Sequence, residues 1–191
     1  VREKLLFEDY PYPQLLPEKE TVIGIPRVLS YWETMPFWNT FFRALGYQVR
    51  ISDKSTRKIY ESGLSAVTSD TVCFPAKLVH GHIRNLAEHH VDRIFMPTIT
   101  TVSSENPAST SESMCAIVKG YPIVIRNSDN PEKRWNIPYD APLFHWYRTE
   151  DRNRQLTAYM KDTFEIDSSI CLKAIEAADQ AQLSFEQALK K

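Results

Sequence analysis

Short apolar runs alternate with segments of helical periodicity between residues 21 and 96, and this alternation restricts the fold more than any other feature of the sequence. The runs over residues 21–29, 48–52 and 93–96 are predicted strands because they are short, apolar and bounded by turn residues. Strands that are separated by helices form crossover connections, which require a mainly parallel sheet with helices on both faces. The sequence therefore predicts an α/β fold of the Rossmann-like or flavodoxin-like type.

Local signals predict where several elements begin and end. Thr34 is a candidate N-cap for the first long helix, and Gly46 is its candidate stop. Pro75 predicts the start of a second helix that runs to about His89. The remaining predicted elements are a short helix over residues 55–61, a short strand over 66–68, a loop over 98–113, a short helix at Tyr121-Pro122 and an edge strand over 136–139.

The chain of 191 residues is long enough for one substantial core. We predict an N-terminal extension over residues 1–20, an α/β domain over 21–148 and a C-terminal helical segment over 149–191 that packs on it, with Asp167 or Ser168 capping a final long helix. The first residue is Val1, and the last residues lie within an uncapped helical pattern. We therefore expect the sequence to be a fragment of a larger protein.

Composition argues against several classes of function. A net charge of -1, with basic residues scattered along the chain, argues against a nucleic-acid partner. The sequence has neither an apolar run long enough for a membrane span nor a signal peptide, so a cytoplasmic location without a membrane partner is expected. With five glycines and no phosphate-binding glycine motif, the segment is not expected to hydrolyse ATP or to be an active enzyme alone.

The stretch SDTVCFPAKLVHGHI, residues 69–83, places Cys73 just outside a predicted helix start, because Pro75 is tolerated in the first helical turn. Free backbone N–H groups and the helix dipole favour an anion or an anionic ligand at that position. A buried spacer role for Cys73 remains equally open from the sequence. Cys115 follows the predicted loop and is a second candidate for an exposed thiol, whereas Cys171 lies in phase with the apolar face of the last helix and is predicted to be buried.

A zinc site formed by His80 and His82 with Cys73 and Cys115 is a weaker interpretation. The two histidines are two positions apart, which places them on roughly opposite sides of a helix. They could not share one ion without breaking that helix, and hydrogen bonds to the protein are the ordinary role of such residues.

The sequence resembles a known family in GIPRVLSYWETMPFWNTFFRALGYQV, SDTVCFPAKLVHGHI, FMPTI and MCAIVKGYP. From Thr21 to about Phe185 it is similar to the domain of unknown function of bacterial CoA-substrate-specific enzyme activases, which is related to the 2-hydroxyacyl-CoA dehydratase activator and dehydratase group. Dehydratase subunits of that group bind a 4Fe-4S cluster through cysteines and receive electrons from an ATP-hydrolysing activator.

The resemblance implies that Cys73 and Cys115 are ligands of an iron-sulfur cluster, with Lys77 beside it to offset its charge or simply solvated. Because each cysteine follows a predicted strand or strand-like connection, we expect the two to lie near each other at the carboxyl edge of the sheet. Ala116 stands where family members commonly have a proline after the second cysteine, which changes the local geometry around Cys115. Two cysteines are fewer than a cubane cluster ordinarily uses, so a third ligand is expected from a missing segment or a non-protein molecule.

Arg27 follows the first predicted strand at the edge of the sheet where open α/β folds bind ligands. It is therefore a candidate for a CoA phosphate or a substrate carboxylate in the same crevice as the cysteines, or else for an ion pair with a residue such as Glu33.

The implied function is a module of a CoA-substrate-specific enzyme activase that serves electron transfer or cluster binding. Its implied partners are activator ATPase domains of the same polypeptide or a dehydratase-like protein, with a CoA thioester as a candidate ligand. The alternative is a non-catalytic α/β module that docks the activator ATPase to its partner.

Overall fold

The computed structural model describes residues 1–102, 108, 113–146 and 148–190. Within these ranges the strands are β1 (Val22–Ile25), β2 (Gln48–Ile51), β3 (Arg93–Phe95), β4 (Thr98–Ile99), β5 (Tyr139–Asp140) and β6 (Leu143–Phe144). The helices are α1 (Arg2–Leu6), α2 (Tyr31–Ala44), α3 (Arg57–Gly63), α4 (Phe74–Glu88), α5 (Ala116–Ser128), α6 (Pro131–Trp135), α7 (Thr149–Phe164) and α8 (Ser168–Leu189).

The predicted parallel sheet is confirmed. Four strands pair in the order β2-β1-β3-β5, and every pairing in this sheet is parallel. Beyond β3 and β5 the chain bends and pairs again, in parallel, as β4 and β6. The Met96 N–H donates to the Asp140 carbonyl at 2.8 Å and the Thr98 N–H donates to the Pro142 carbonyl at 2.8 Å, so the two pairs form one continuous, kinked ladder.

Helices flank the sheet on both faces, as predicted. From β1 the chain moves to β2 on one side, and from β2 it crosses back to β3 on the other side. Right-handed crossovers in opposite directions place their helices on opposite faces. Accordingly α1, α2, α7 and α8 pack together, while α3, α5 and α6 pack on α4. No helix of the described ranges combines the length and the apolar character that a bilayer span needs.

Helix α2 forms the centre of one layer, and side chains of neighbouring helices bond to its backbone near the internal Pro36. Proline has no N–H, so the carbonyl of Trp32 lacks its usual helical donor. Arg2 of α1 donates to this carbonyl at 2.9 Å, and Gln182 of α8 donates to the carbonyl of Glu33 at 2.8 Å. Both neighbouring helices therefore contribute side chains to the backbone of α2 near Pro36.

Helices α3 and α4 approach closely because a glycine lies on each side of their contact. A Cβ atom built on Gly63 would overlap the backbone of Gly81, and one built on Gly81 would overlap the carbonyl oxygen of Ile59. Arg84 of α4 adds a hydrogen bond of 2.6 Å to the carbonyl of Ser62. The two helices therefore form a tightly packed pair on the face of the sheet opposite to α2 and α8.

Some of the predicted boundaries are wrong. Helix α2 begins at Tyr31, and Thr34 lies buried inside it with its hydroxyl bonded to the Ser30 carbonyl at 3.0 Å, because the turn before the helix already starts at Val28. Residues 66–68 form no strand, since the chain leaves α3 through a 3-10 turn over Leu64–Ala66.

The region from residue 98 onward also differs from the prediction. The predicted loop over 98–113 begins with strand β4, and its residues 103–107 and 109–112 lie outside the described residues. Helix α5 begins at Ala116 rather than near Tyr121, because its first turns already pack against β4.

Two predictions for the last helix, its cap and the burial of its cysteine, are confirmed. The Asp167 carboxylate accepts a hydrogen bond of 2.8 Å from the Ser169 N–H, which caps α8. Cys171 is fully buried on the inner face of that helix.

The glycine contact between α3 and α4 yields a stability prediction. Gly81→Ala should lower the free energy of unfolding by at least about 2 kcal/mol, because the new methyl group overlaps the Ile59 carbonyl and forces the helices apart. Urea unfolding followed by circular dichroism measures the change. Gly120→Ala is the matched control: no atom lies within 4 Å of its added Cβ, and alanine in a helix interior should raise stability by about 0.5–1 kcal/mol. Equal effects of the two substitutions would contradict the close contact.

Candidate functional site

A cavity of 340 Å³ opens between the segment that leads into α4 and the first half of α5. It lies at the carboxyl edge of the sheet, because helices that precede parallel strands have their N-termini at that edge. Hydroxyl groups and apolar side chains share its surface. The lining residues are Thr68, Ser69, Thr71, Val72, Ala116, Ile117, Gly120, Tyr121 and Val124.

Cys73 is the N-cap residue of α4 and is exposed, and its neighbour Val72 lines the cavity. The carbonyl of Cys73 accepts the N–H groups of Ala76 at 3.1 Å and Lys77 at 3.2 Å, which fixes the residue at the helix start. The predicted position just outside the helix is thus confirmed, and the buried-spacer interpretation of Cys73 is wrong.

Cys115 occupies the equivalent position on α5. It is the N-cap residue of that helix and is exposed, and the next residue, Ala116, lines the cavity. Its carbonyl accepts the N–H of Lys119 at 3.0 Å, and the preceding Met114 donates to the Thr100 carbonyl at 3.0 Å. Each of the two cysteines is therefore the sequence neighbour of a residue that lines the same cavity, and each lies at a helix end whose free N–H groups favour an anion.

The described residues provide no complete metal site. No group of three or more His, Cys, Asp and Glu residues within them is arranged to hold an ion. His80 and His82 are hydrogen-bonded to different partners, His80 to Asp129 and Tyr121 and His82 to Ser52 and Ser55, so they do not form the zinc site with the cysteines. In the described part of the chain, the two cysteines are thus a pair of candidate ligands without a third.

A buried polar chain behind the cavity is absent from the sequence-based predictions. The Asp129 carboxylate lies 2.6 Å from His80 Nδ1, and His80 Nε2 lies 3.0 Å from the Tyr121 hydroxyl. Arg134 pairs with Asp129 at 2.7 Å. Burial, and then the nearby charges of Cys73 and Asp129, raise the pKa of Tyr121 to about 12, so the hydroxyl stays neutral.

The linked side chains of Asp129, His80 and Tyr121 hold α5 in a fixed position across α4. These residues come from distant parts of the sequence, so no local spacing could have indicated the contact. The only available signal was a histidine on an otherwise apolar helix face.

His82 joins the ends of β1 and β2 to α4. Its Nδ1 lies 2.8 Å from the Ser52 hydroxyl, which also accepts the N–H of Arg27, and its Nε2 lies 2.9 Å from the Ser55 hydroxyl. Burial, followed by the charge of Arg27, lowers the pKa of His82 to about 4. The imidazole is therefore neutral at physiological pH and serves as a hydrogen-bonding bridge.

Arg27 is covered by α1 and by the residue that follows this helix. It is 8% exposed, its guanidinium pairs with Glu3 of α1, and it lies 3.6 Å from the centroid of the Phe7 ring. Glu33, the partner considered from the sequence, pairs with Arg2 instead. Among the described residues that line the cavity, Arg27 does not appear.

Lys77 lies one turn inside α4 and is partly buried. Its ammonium group donates to the Asp70 carbonyl at 2.8 Å, which ties the segment before Cys73 to the first turn of the helix. In the structure, Cys73 and Cys115 are each next in sequence to a residue of one cavity, Lys77 lies one turn from Cys73, and α1 covers Arg27.

One family model matches the chain. The model described as the CoA enzyme activase uncharacterised domain matches residues 22–191. No curated protein and no solved structure matches the chain at a significant level.

Thiol chemistry can test the exposure of the three cysteines. In the native protein, Cys73 and Cys115 should react rapidly with Ellman's reagent, whereas Cys171 should react only after unfolding because it is fully buried. Burial also raises the pKa of the Cys171 thiol to about 11, which further slows its reaction. Cys171→Ala should leave the number of rapidly reacting thiols unchanged. Loss of a fast thiol in that variant would contradict the assignment.

The depressed pKa of His82 predicts a pH-dependent stability. Between pH 6.5 and about 4 the unfolded chain binds a proton that the folded imidazole does not, so the free energy of unfolding should fall as the pH decreases through this window. The full effect is up to about 3 kcal/mol. His82→Gln, which keeps hydrogen-bonding groups for both serines, should reduce this slope in urea titrations, whereas the exposed control His145→Gln should leave it unchanged. An unaltered slope in His82→Gln would exclude His82 as its source.

Proposed function

The chain belongs to the CoA enzyme activase uncharacterised domain family, and on that premise we propose that it is the thiol-bearing module of a CoA enzyme activase and binds an iron-sulfur cluster through Cys73 and Cys115. The observation that carries the proposal is the position of the two cysteines. Both are exposed N-cap residues of long helices, and the residue next to each in the sequence, Val72 or Ala116, lines the same cavity.

The surroundings of the two thiols suit a soft, negatively charged group. Thiolates are the ordinary ligands of iron-sulfur clusters, and backbone N–H groups at helix starts stabilise the charge on cluster and sulfur. Lys77 adds a positive charge one turn from Cys73, although its ammonium group is already bonded to the Asp70 carbonyl. Such a cluster accepts and donates single electrons, which is the role we propose for the module in chemistry of the 2-hydroxyacyl-CoA dehydratase type.

The described residues supply only part of the ligand set. Two thiols fit two positions on a cluster, and the described ranges contain no group of three such residues, so a cluster bound here would take its remaining ligands from elsewhere. We assign them to another segment, a partner or a small molecule.

Ala116 is compatible with this site. It is the first residue of α5, where proline and alanine are both accommodated, and alanine retains a backbone N–H that proline would lack.

The partners we propose are activator ATPase domains of the same polypeptide or a dehydratase-like protein, in the cytoplasm, where free cysteines remain reduced. A CoA thioester stays a candidate ligand. Its phosphate or a substrate carboxylate could reach the guanidinium of Arg27 only by displacing Glu3, because these two side chains are paired.

The incomplete ligand set favours a second candidate function. If the two thiols hold no cluster, the module is a non-catalytic docking domain between the activator ATPase and its partner, and its cysteines are vestigial. The two functions differ in one measurable property, which is the binding of iron and sulfide by the chain.

Anaerobic reconstitution with iron and sulfide tests the proposal. The wild-type chain should turn brown, with absorbance near 400 nm and bound iron and sulfide, and it should lose the colour in air because two protein thiolates leave iron sites accessible. Cys73→Ala and Cys115→Ala should each abolish cluster uptake. Cys171→Ala is the control, since it removes a buried thiol and should cost only about 1 kcal/mol of packing stability while it leaves the cluster in place.

Equal uptake of iron and sulfide by the wild type and Cys73→Ala would exclude the cluster and favour the docking module. Circular dichroism of each variant separates this outcome from a failure to fold.

A further inference from the structure

A second cavity, of 370 Å³, lies between α3 and the start of α4, next to the first cavity but lined by different residues. We call it the α3–α4 groove. Its lining residues are Ser55, Thr56, Arg57, Tyr60, Phe74 and Leu78. The volume lies within the range of small-molecule sites, and the groove combines an aromatic surface with two hydroxyl groups and a cation.

The aromatic surface of the groove is formed by Phe74 and Tyr60. Their ring centroids lie 5.1 Å apart, with 43° between the ring planes. Phe74 is 58% exposed although phenylalanine is usually buried, so much of its ring is open to solvent. An exposed aromatic ring supported by a second ring is a suitable platform for stacking of a planar ligand.

The polar residues of the groove are held in place by the protein. The Ser55 hydroxyl lies 2.9 Å from Nε2 of the buried His82, and the Thr56 hydroxyl accepts the Ile59 N–H at 3.2 Å as the N-cap of α3. The close approach of Gly63 to Gly81 fixes α3 against α4, and with it the relative positions of Tyr60 and Phe74. The groove is therefore formed before a ligand arrives, which lowers the entropic penalty of binding.

The charge around the groove favours an anionic ligand. Lys54, Arg57 and Lys58 are exposed in one short segment with two carboxylates, Asp53, which pairs with Arg50 and His89, and Glu61 of α3. The ammonium group of Lys54 lies 3.9 Å from the Glu3 carboxylate, which is a long and exposed pair. The side chain of Arg57 is 90% exposed, and it pairs with Glu61 at 2.7 Å. Such an exposed pair contributes little energy, so the guanidinium can turn to a phosphate, whose geometry it matches with two parallel hydrogen bonds.

We propose that the α3–α4 groove binds a purine nucleotide, with its base stacked on Phe74 and its phosphates bound by Arg57 and Lys54. A planar ring and a phosphate are the two chemical groups that the aromatic platform and the basic rim recognise together. The proposal concerns binding alone, and it involves neither Cys73 nor Cys115 as a ligand, so its outcome is independent of the iron-sulfur proposal.

Isothermal titration calorimetry of the whole chain with ADP tests the proposal. ADP should bind at one saturable site. Phe74→Ala and Arg57→Ala should each raise its dissociation constant at least tenfold. Phe74→Tyr should leave the dissociation constant close to the wild-type value, because it keeps a stacking ring. The matched control is Ile123→Ala, which removes a 40% exposed apolar side chain from α5 and should leave the dissociation constant unchanged.

Adenosine and inorganic pyrophosphate separate the two halves of the ligand. Each should bind more weakly than ADP, because each engages only the aromatic platform or only the basic rim. The proposal is overturned if millimolar ADP gives no binding, if Phe74→Ala binds ADP as the wild type does, or if pyrophosphate binds as tightly as ADP. The substituted side chains are exposed, and circular dichroism verifies that each variant is folded.

Discussion

The contact between Gly63 and Gly81 sets the distance between α3 and α4, and with it the geometry of the α3–α4 groove. Without Cβ atoms at these positions the two backbones touch, and the N-terminal part of α3 comes to lie beside the first turns of α4. Ser55, just before α3, is thereby placed at His82 of α4, and Tyr60 is placed against the ring of Phe74. A larger side chain at either glycine would separate these residues.

Helix α4 is anchored by polar contacts on two sides, which explains why its histidines are structural. His80 is bonded to Asp129 and Tyr121 on the side of α5, and His82 is bonded to the serines that follow β2. Buried imidazoles need such partners, because an unpaired polar group in the core costs free energy. With both nitrogens of each ring engaged, the accessible chemistry of α4 is concentrated at its first turn, where Cys73 and Phe74 are exposed.

The sequence predicts a helix boundary correctly where the residue that determines it lies within one or two helical turns of that boundary. Pro75 marks the start of α4 and Asp167 caps α8, since each acts on the adjacent backbone. The parallel sheet also followed from the alternation of apolar runs. The pairing of Arg27 with Glu3 and of His80 with Asp129 did not, because each partner is brought in by a distant segment. Cys73 and Cys115 are candidate cluster ligands from the sequence because both match the family motifs, and Cys73 also lies at a predicted helix start. The α3–α4 groove is not predictable in this way, because it depends on a contact between two helices.

Three consecutive residues connect the two cavities at the start of α4. Val72 lines the first cavity, Cys73 carries the exposed thiol, and Phe74 lines the α3–α4 groove. The hydrogen bond from Lys77 to the Asp70 carbonyl attaches the preceding segment to the same helical turn. The wall of the cavity, the thiol and the aromatic platform are thus held on one short piece of backbone. A displacement of the first turn of α4 would therefore move all three together.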